Sequence, residues 1–180
     1  DYVDTVSISA DGEYIVIGSR DDKVYLFDKD SSTPLWSYTT GGIVDSVAIS
    51  ADGEYIAAGS GYGDYKVYFF SKNSSTPLWT YTTGNEVQTV AISVDGEYIV
   101  AGSRDNKVYL FDKDSSTPLW SADTDEDVYS VDISADGEYI VAGSRDNRIY
   151  LFDKDSSTPL WIYETIDEVQ SVAISADGED

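Results

Sequence analysis

The chain contains no cysteine, no histidine and no methionine among its 180 residues. Without cysteine it forms no disulfide and has no thiol nucleophile. Without histidine it lacks the commonest general base and the commonest metal ligand, and a Ser-His-Asp arrangement is impossible. No stretch approaches the roughly 18 apolar residues that a membrane helix needs, so we expect no membrane insertion. These absences weigh against catalysis, and we expect neither an enzyme nor a bound cofactor.

Basic residues are scarce, with 11 Lys and Arg against 34 Asp and Glu, so the formal charge is −23. Such a charge repels a phosphate backbone, and we expect no nucleic-acid partner. The acidity leans toward an extracellular or cell-surface location without establishing one. Hydrophobic residues make up 41% of the chain, which is enough for a packed core.

Internal repeats organise the whole chain. The phrase TPLW ends at four tryptophans, with spacings of 43, 41 and 41 residues: Trp36, Trp79, Trp120 and Trp161. Residues 86–126 and 127–167 are identical at 29 of 41 aligned positions. We therefore divide one repeat domain, residues 1–180, into units of residues 1–42, 43–85, 86–126 and 127–167 and a partial fifth of residues 168–180.

Each unit has the pattern of four short strands. In the third unit, Val87–Ser93 alternates apolar and polar residues, and Glu97–Gly102 and Lys107–Phe111 are runs rich in apolar residues. Pro118 is expected to open a fourth strand with Leu119 and Trp120, at an edge where a missing amide is tolerated. No helical period is present, so the predicted fold is all-β.

Apolar residues on both faces of the second and third strands require that each sheet be covered on both sides. Four-stranded antiparallel sheets stacked around an axis satisfy this requirement, and a unit of about 41 residues has the length of a β-propeller blade. The alternative is a linear β-solenoid, whose turns usually take fewer residues. We therefore predict a β-propeller.

Two known repeat families resemble these units. Val87–Phe111 (VQTVAISVDGEYIVAGSRDNKVYLF) resembles the inner three strands of a WD-repeat blade. Val108–Trp120 (VYLFDKDSSTPLW) is similar to the tryptophan-bearing stretch of pyrroloquinoline-quinone dehydrogenase-like propellers. Every unit carries both halves, so the resemblance covers the whole chain. It implies the propeller fold and no particular activity.

The chemistry of both families is missing. The WD resemblance implies a hydrogen-bonded aspartate between the second and third strands, at Asp21, Asp64, Asp105 and Asp146. Its partners in that family are a histidine, a hydroxyl and a tryptophan, but this chain has no histidine, and Ala101 and Phe111 stand at the other two positions. The quinone-dependent enzymes use a cysteine pair, which is also absent. The blade shape is therefore expected to carry over without either network.

The number of units leaves the ring open to two interpretations. Propellers close with four to eight blades, and the fifth unit adds an inner strand, Val169–Ser175, without a second strand. In one interpretation two chains form an eight-bladed homodimer with this strand exchanged at the seam. In the other, the chain is a fragment of a longer array. Both imply association through unpaired strands.

Two further site hypotheses concern calcium and sugar. The run Asp-Lys-Asp-Ser-Ser offers oxygen ligands but lacks the glycine and the bidentate acid of an EF-hand loop, so an ordinary turn explains it as well. The tryptophans could form a sugar-stacking platform, although one tryptophan per unit is more typical of packing between blades. A carbohydrate- or calcium-binding cell-surface propeller is therefore the alternative function, and no metal site is assigned.

Differences among the units concentrate at one predicted end of the blades, in the connections and the turn between the second and third strands. If that end binds a protein partner, its candidate residues are Arg20, Tyr62, Arg104, Tyr129 and Arg145. Drift in tolerant loops explains the same pattern. The sequence thus predicts a non-catalytic propeller that acts as a protein-interaction or structural scaffold.

Overall fold

Four antiparallel sheets, each of four strands in sequential order, make up the structure, a computed structural model that describes residues 2–178. Asp1, Glu179 and Asp180, which the repeat units include, lie outside the described residues. Within residues 2–178 there is no helix, and so none long and apolar enough to cross a membrane. The predicted all-β propeller architecture of four-stranded blades is confirmed.

Each sheet lies within one repeat and is called a blade here. Blade 1 contains β1 (Val3–Ile8), β2 (Tyr14–Ser19), β3 (Lys23–Asp28) and β4 (Trp36–Thr39). Blade 2 contains β5 (Val44–Ile49), β6 (Tyr55–Ser60), β7 (Lys66–Ser71) and β8 (Trp79–Thr82). Blade 3 contains β9 (Val87–Ile92), β10 (Tyr98–Ser103), β11 (Lys107–Asp112) and β12 (Trp120–Asp123). Blade 4 contains β13 (Val128–Ile133), β14 (Tyr139–Ser144), β15 (Arg148–Asp153) and β16 (Trp161–Glu164).

The fourth strand of each blade begins later than the sequence predicted. In blade 3 the expected strand was Leu119 with Trp120, opened by Pro118, but β12 runs from Trp120 to Asp123. The Leu119 amide already donates to the Leu110 carbonyl at 2.8 Å. The proline therefore lies ahead of the ladder, where its missing amide costs no strand hydrogen bond.

Apolar seams between consecutive blades form the core. The face of a blade turned to the following blade is called its trailing face, and the face turned to the preceding blade its leading face. Between blades 2 and 3, Val67 and Phe69 of the trailing face pack with Ile99 and Phe111 of the leading face, all 0% exposed. The second and third strands of each blade carry large apolar residues on both sides. Every blade therefore needs a neighbour on each face.

A glycine near the end of each second strand brings adjacent blades close together. A side-chain carbon on Gly102 would lie 2.6 Å from Cγ1 of Val128, and one on Gly59 would lie 2.6 Å from Cγ1 of Val87. Only glycine leaves room for the next inner strand at this point.

The sequence predicted that residues 169–175 form a fifth inner strand. The segment lies where an inner strand would lie but is not a strand in the structure. Residues 169–174 belong to no strand within residues 2–178. They lie against blade 4, where the Val169 amide donates to the Ser144 carbonyl at 3.0 Å. Blade 4 is therefore the described blade beside this segment.

Candidate functional site

The two ends of the stacked blades carry different loops. The variable end holds the connections between blades and the turns between the second and third strands of each blade. The turn end holds the turns between the first and second strands and those between the third and fourth strands. At the variable end, the Gly84 amide nitrogen lies 2.7 Å from the Asp105 carboxylate of the next blade, and the Asp125 amide nitrogen lies 3.0 Å from that of Asp146. The connections and the turns between the second and third strands thus lie together, as predicted.

The turn end is uniform and joins the blades by backbone hydrogen bonds. The Ala10 amide donates to the Ala51 carbonyl at 3.0 Å, Ala51 donates to Val94 at 3.0 Å, and Val94 donates to Ala135 at 3.2 Å. The turn between the first and second strands of each blade, with the sequence S-x-D-G as in residues 9–12, is therefore hydrogen-bonded to the same turn of the next blade. The differences among the blades lie at the opposite end.

The turn aspartates at the variable end bind a tyrosine of their own blade. The hydroxyl of Tyr109 donates to Asp105 at 2.6 Å, and that of Tyr150 donates to Asp146 at 2.5 Å. Blades 1 and 2 contain the same pairs, Tyr25 with Asp21 and Tyr68 with Asp64. In this chain a tyrosine hydroxyl donates to the turn aspartate, in place of the donors that the WD resemblance implied.

The tyrosines of these pairs have raised pKa values. Burial, followed by the hydrogen bond to Asp146, raises the pKa of Tyr150 to about 12. Burial also favours protonation of Asp21, but hydrogen bonds from Tyr25 and Ser19 outweigh it and hold the pKa of Asp21 below its ordinary value. Asp21 therefore stays ionised and Tyr150 stays protonated near neutral pH, which makes their hydrogen bonds structural.

A β-bulge places one variable residue of each inner strand at this end. The ladder of β1 and β2 shifts between Val3 and Thr5, and the ladder of β13 and β14 shifts between Val128 and Ser130. The residue between each of these pairs is aspartate in blades 1 and 2, glutamine in blade 3 and tyrosine in blade 4. Because a bulge redirects a side chain and interrupts pairing, this position tolerates aspartate and tyrosine alike.

The three predicted arginines lie at the variable end, and each is paired with an acid. Arg20 lies 2.7 Å from the Asp4 carboxylate and Arg104 lies 2.9 Å from that of Glu86. Arg145 lies 3.2 Å from Glu168. Their charges are therefore balanced locally, and exposed pairs of this kind add little to stability.

The structure does not bring the two predicted tyrosines together. Tyr62 is 73% exposed on the two-residue insertion of blade 2. Tyr129 is half-buried in blade 4 near Arg145, whose pKa is raised first by its hydrogen bond to Glu168 and then by Tyr129. The interpretation of the five residues as one partner-binding face stays a prediction.

Asp45 has a raised pKa and was not among the site residues predicted from the sequence. Blade 2 has Gly61 where blades 1 and 3 have an arginine, and any side-chain carbon there would overlap the Asp45 carboxylate. Burial, then Glu86 and Asp4, raises the pKa of Asp45 to about 6. The missing arginine was a visible signal in the sequence, although the burial was not.

The acidic turns at the other end bond to their own backbone. Asp112 accepts a hydrogen bond from the Asp114 amide at 2.8 Å, and Asp153 accepts one from the Asp155 amide at 2.8 Å. Residues 2–178 contain no group of three or more acidic side chains arranged to hold a metal ion. These runs are therefore ordinary Asx turns.

Three of the four tryptophans pack between blades, as the packing interpretation expected. Trp36 lies 5.4 Å from the Phe70 ring, and Trp79 lies 5.2 Å from the Phe111 ring, measured between ring centroids. Trp161 has no following blade within the described chain and is 48% exposed. A sugar platform would need exposed rings, and only Trp161 offers one.

Two apolar faces lack a covering blade within residues 2–178. On the leading face of blade 1, Tyr25 and Phe27 are half-buried and border a groove of about 220 Å³. On the trailing face of blade 4, Leu151, Trp161 and Val172 border a groove of about 410 Å³. The described blades therefore form an open arc.

The comparison with known families agrees with this architecture. The family model described as outer membrane protein assembly factor BamB matches residues 5–94 and again residues 89–179. No curated protein sequence matches the chain. Since the two matches together span nearly the whole chain and each covers two repeats, the chain belongs to the family of the outer membrane protein assembly factor BamB.

Proposed function

We propose that this chain is a non-catalytic β-propeller module that works as a protein-interaction or structural scaffold, and that a second copy of the chain is its protein partner. The pair of uncovered apolar faces at the two ends of the arc carries this proposal. The family is named for an assembly factor, which supports a role in holding proteins together.

The charged residues of the variable end support a non-catalytic role. Asp64 and Asp105 are bound by tyrosines, and Arg20 and Arg104 are bound by acids. These groups are engaged in bonds that shape the loops, and the equivalent pair of blade 1, Asp21 with Tyr25, borders the groove of about 220 Å³ already hydrogen-bonded. The binding capacity of the chain therefore lies in its apolar faces.

The two open faces match the two halves of an internal seam. In the seam between blades 1 and 2, Tyr38 packs on Phe70 with ring centroids 5.3 Å apart. Blade 4 presents the equivalent Tyr163, which is 63% exposed, and blade 1 presents the equivalent Phe27. Placing one copy's blade 4 on another copy's blade 1 recreates the aromatic contact.

Polar groups match in the same way. The indole nitrogens of Trp36 and Trp79 donate to the carbonyls of Lys72 and Lys113 in the next blade, at 2.7 and 2.8 Å. Trp161 has the equivalent donor, and Lys29 of blade 1 has the equivalent carbonyl. A second copy thus supplies the partner that each open face lacks.

Sedimentation equilibrium over a range of protein concentrations tests the proposal. We expect a particle of twice the chain mass of 19.7 kDa. Since two chains of charge −23 repel each other, association is expected to strengthen with added salt. A folded single-chain particle at every concentration and salt level would overturn self-association.

A matched pair of variants locates the interface. Phe27→Glu places a charge on the leading face of blade 1 and is expected to abolish the two-chain particle. Tyr62→Glu makes the same kind of change on the exposed insertion at the variable end and is expected to leave it intact. Circular dichroism confirms that both variants stay folded. The reverse pattern would place the interface at the variable end.

A further inference from the structure

We infer that Asn73 is an acceptor for an N-linked oligosaccharide. The juxtaposition that carries this inference is a three-residue acceptor motif on an exposed turn of blade 2, whose amide and hydroxyl are both left without a hydrogen bond in the described chain. The inference goes beyond the proposed function and does not depend on it.

Blade 2 differs from the other blades in the turn between its third and fourth strands. Residues 73–75 read Asn-Ser-Ser, which has the form N-x-S/T. Enzymes that attach oligosaccharides to asparagine recognise this motif on surface loops. At the position of Asn73 the other three blades have an aspartate, which cannot be an acceptor: Asp30, Asp114 and Asp155.

The motif occurs at one asparagine of the four in the chain. The other three lie at the variable end and have valine or isoleucine two residues on, and so lack the second recognition group: Asn85, Asn106 and Asn147. A single site on the turn end is therefore expected.

The two groups that an attaching enzyme needs are accessible and unengaged. Asn73 is exposed and Ser75 is half-buried. Within residues 2–178 neither the Asn73 carboxamide nor the Ser75 hydroxyl has a hydrogen-bond partner. The hydroxyl between them is engaged instead, because Ser74 accepts a hydrogen bond from the Thr76 amide at 3.0 Å. Binding of the amide and the outer hydroxyl therefore breaks no side-chain bond of the fold.

The residue before the motif is anchored in the seam between blades 1 and 2. The Lys72 carbonyl accepts the indole hydrogen bond of Trp36 at 2.7 Å, and the Lys72 amide donates to the Glu54 carbonyl at 2.9 Å. The Lys72 ammonium lies 4.8 Å from the centre of the Tyr14 ring. The fold thus holds the start of the turn at a fixed place and leaves the Asn73 side chain exposed.

The turn itself is held more weakly in blade 2 than in blade 3. The Asn73 amide donates to the Ser71 hydroxyl at 3.3 Å. At the same place in blade 3, the Asp114 amide donates to the Asp112 carboxylate at 2.8 Å. Hydrogen bonds to an ionised acceptor are shorter and stronger than those to a neutral one. Opening the turn into the site of an attaching enzyme therefore costs less in blade 2.

The transfer balances with a lipid-linked oligosaccharide diphosphate as the co-reactant. The carboxamide nitrogen of Asn73 forms a bond to the anomeric carbon of the first sugar, and the bond from that carbon to the diphosphate oxygen breaks. The lipid diphosphate leaves with the electron pair of the broken bond, and a base of the attaching enzyme takes the proton lost from nitrogen. No atom is oxidised or reduced, and the chain is the acceptor only.

Reaction of the purified full chain with an oligosaccharyltransferase that accepts N-x-S/T, and with a lipid-linked oligosaccharide of known mass, tests the inference. We expect intact-mass spectrometry to show one added oligosaccharide. Asn73→Gln and Ser75→Ala should each abolish the addition, whereas Ser75→Thr, which keeps the hydroxyl, should retain it. Circular dichroism shows that the variants stay folded.

The outcomes are decisive once a synthetic acceptor peptide has shown that the enzyme and the donor are active. A wild-type chain without added mass overturns the inference. Added mass that survives Asn73→Gln overturns it as well, since another side chain would then be the acceptor. Equal addition to Ser75→Ala and Ser75→Thr would show that the N-x-S/T motif is not what is recognised.

A transplanted motif tests the contribution of the weak turn. In a chain that carries Asn73→Gln, Asp114→Asn creates the same motif in the matching turn of blade 3, where Ser115 and Ser116 follow. We expect this site to be modified more slowly than Asn73 of the wild-type chain, and further substitution of Asp112→Ser to raise its initial rate. A rate that Asp112→Ser leaves unchanged would overturn the role assigned to the turn.

Discussion

Phe27 and Phe111 are the same residue at the same repeat position, yet only one of them is fully buried. Phe111 lies on the leading face of blade 3 beneath Trp79 and Tyr81 and is 0% exposed. Phe27 lies on the leading face of blade 1, where no described blade covers it, and is half-buried. The seam between two blades, and not the blade, is therefore the unit that forms the core.

This difference explains why the internal seams stabilise the chain, whereas the two end faces keep apolar surface that can bind another molecule. The free energy of such arrays is approximately a sum of repeat and interface contributions. Three internal seams satisfy their apolar faces within the chain, whereas the end faces leave theirs to another molecule. Substitutions at matched positions can test how far the two kinds of face differ.

The largest effect is expected from Phe111→Ala. Removing this fully buried ring should lower the free energy of unfolding by about 3–4 kcal/mol, since the seam cannot fill the cavity. Phe27→Ala should cost less than half as much in the dissociated chain. Urea denaturation of both variants at low protein concentration measures the two values. Equal losses would show that the end face is as well packed as an internal seam.

A smaller effect is expected from the indole hydrogen bond. Trp120 donates to the Lys154 carbonyl at 2.7 Å, so Trp120→Phe should lower the free energy of unfolding by about 1–2 kcal/mol. Trp161→Phe removes the same donor where no blade receives it and should change the dissociated chain little. Thermal melting of the two variants side by side gives the comparison. A loss from Trp161→Phe that matches that of Trp120→Phe would contradict it.

The smallest effect concerns the variable end, where blade 2 differs from its neighbours by lacking an arginine. Because the pKa of Asp45 is raised to about 6 in the folded chain, ionisation favours the unfolded state, and stability falls as pH rises from about 4 through 6. Asp45→Asn should therefore stabilise the chain at pH above 6. After allowance for screening of a half-buried group, we expect less than about 1 kcal/mol.

Thermal melting at acid and at mildly alkaline pH checks this sign. The gain from Asp45→Asn should disappear below about pH 3, where the carboxyl of the wild-type chain is largely protonated in both states. Gln88→Asn, a change of size at the equivalent position of blade 3, serves as the control without a titrating group. A gain in stability that is independent of pH would mean that the ionised Asp45 carboxylate does not destabilise the folded chain.

Much of the fold was predictable because the same pattern of strands and turns recurs in every repeat. The alternation in Val87–Ile92 and the apolar run in β11 identified strands, and glycine-containing turns separated them. Strand ends were less predictable, since β12 begins at Trp120 and continues through Asp123, where polar residues follow the tryptophan. Cross-strand pairing, which the local sequence does not show, decides such ends.

The site was only partly predictable. The sequence located the arginines and Tyr62 at one end but did not reveal that acids pair with the arginines. It also missed the Asp–Tyr pairs, although each aspartate precedes its tyrosine by four residues in every unit, as Asp105 precedes Tyr109. The turn between the second and third strands brings each Asp–Tyr pair together locally, whereas the arginine–acid pairs, such as Arg20 with Asp4, join residues that are far apart in the sequence.

The repeated residues by themselves determined that the chain forms blades and that every blade needs two neighbours. Apolar side chains on both faces of a strand must be covered on both sides. Tertiary structure alone decided which copies of those residues stay uncovered and where residues 169–175 lie. Burial depends on what is packed against a face, and identical residues therefore have different environments in the first, third and last blades.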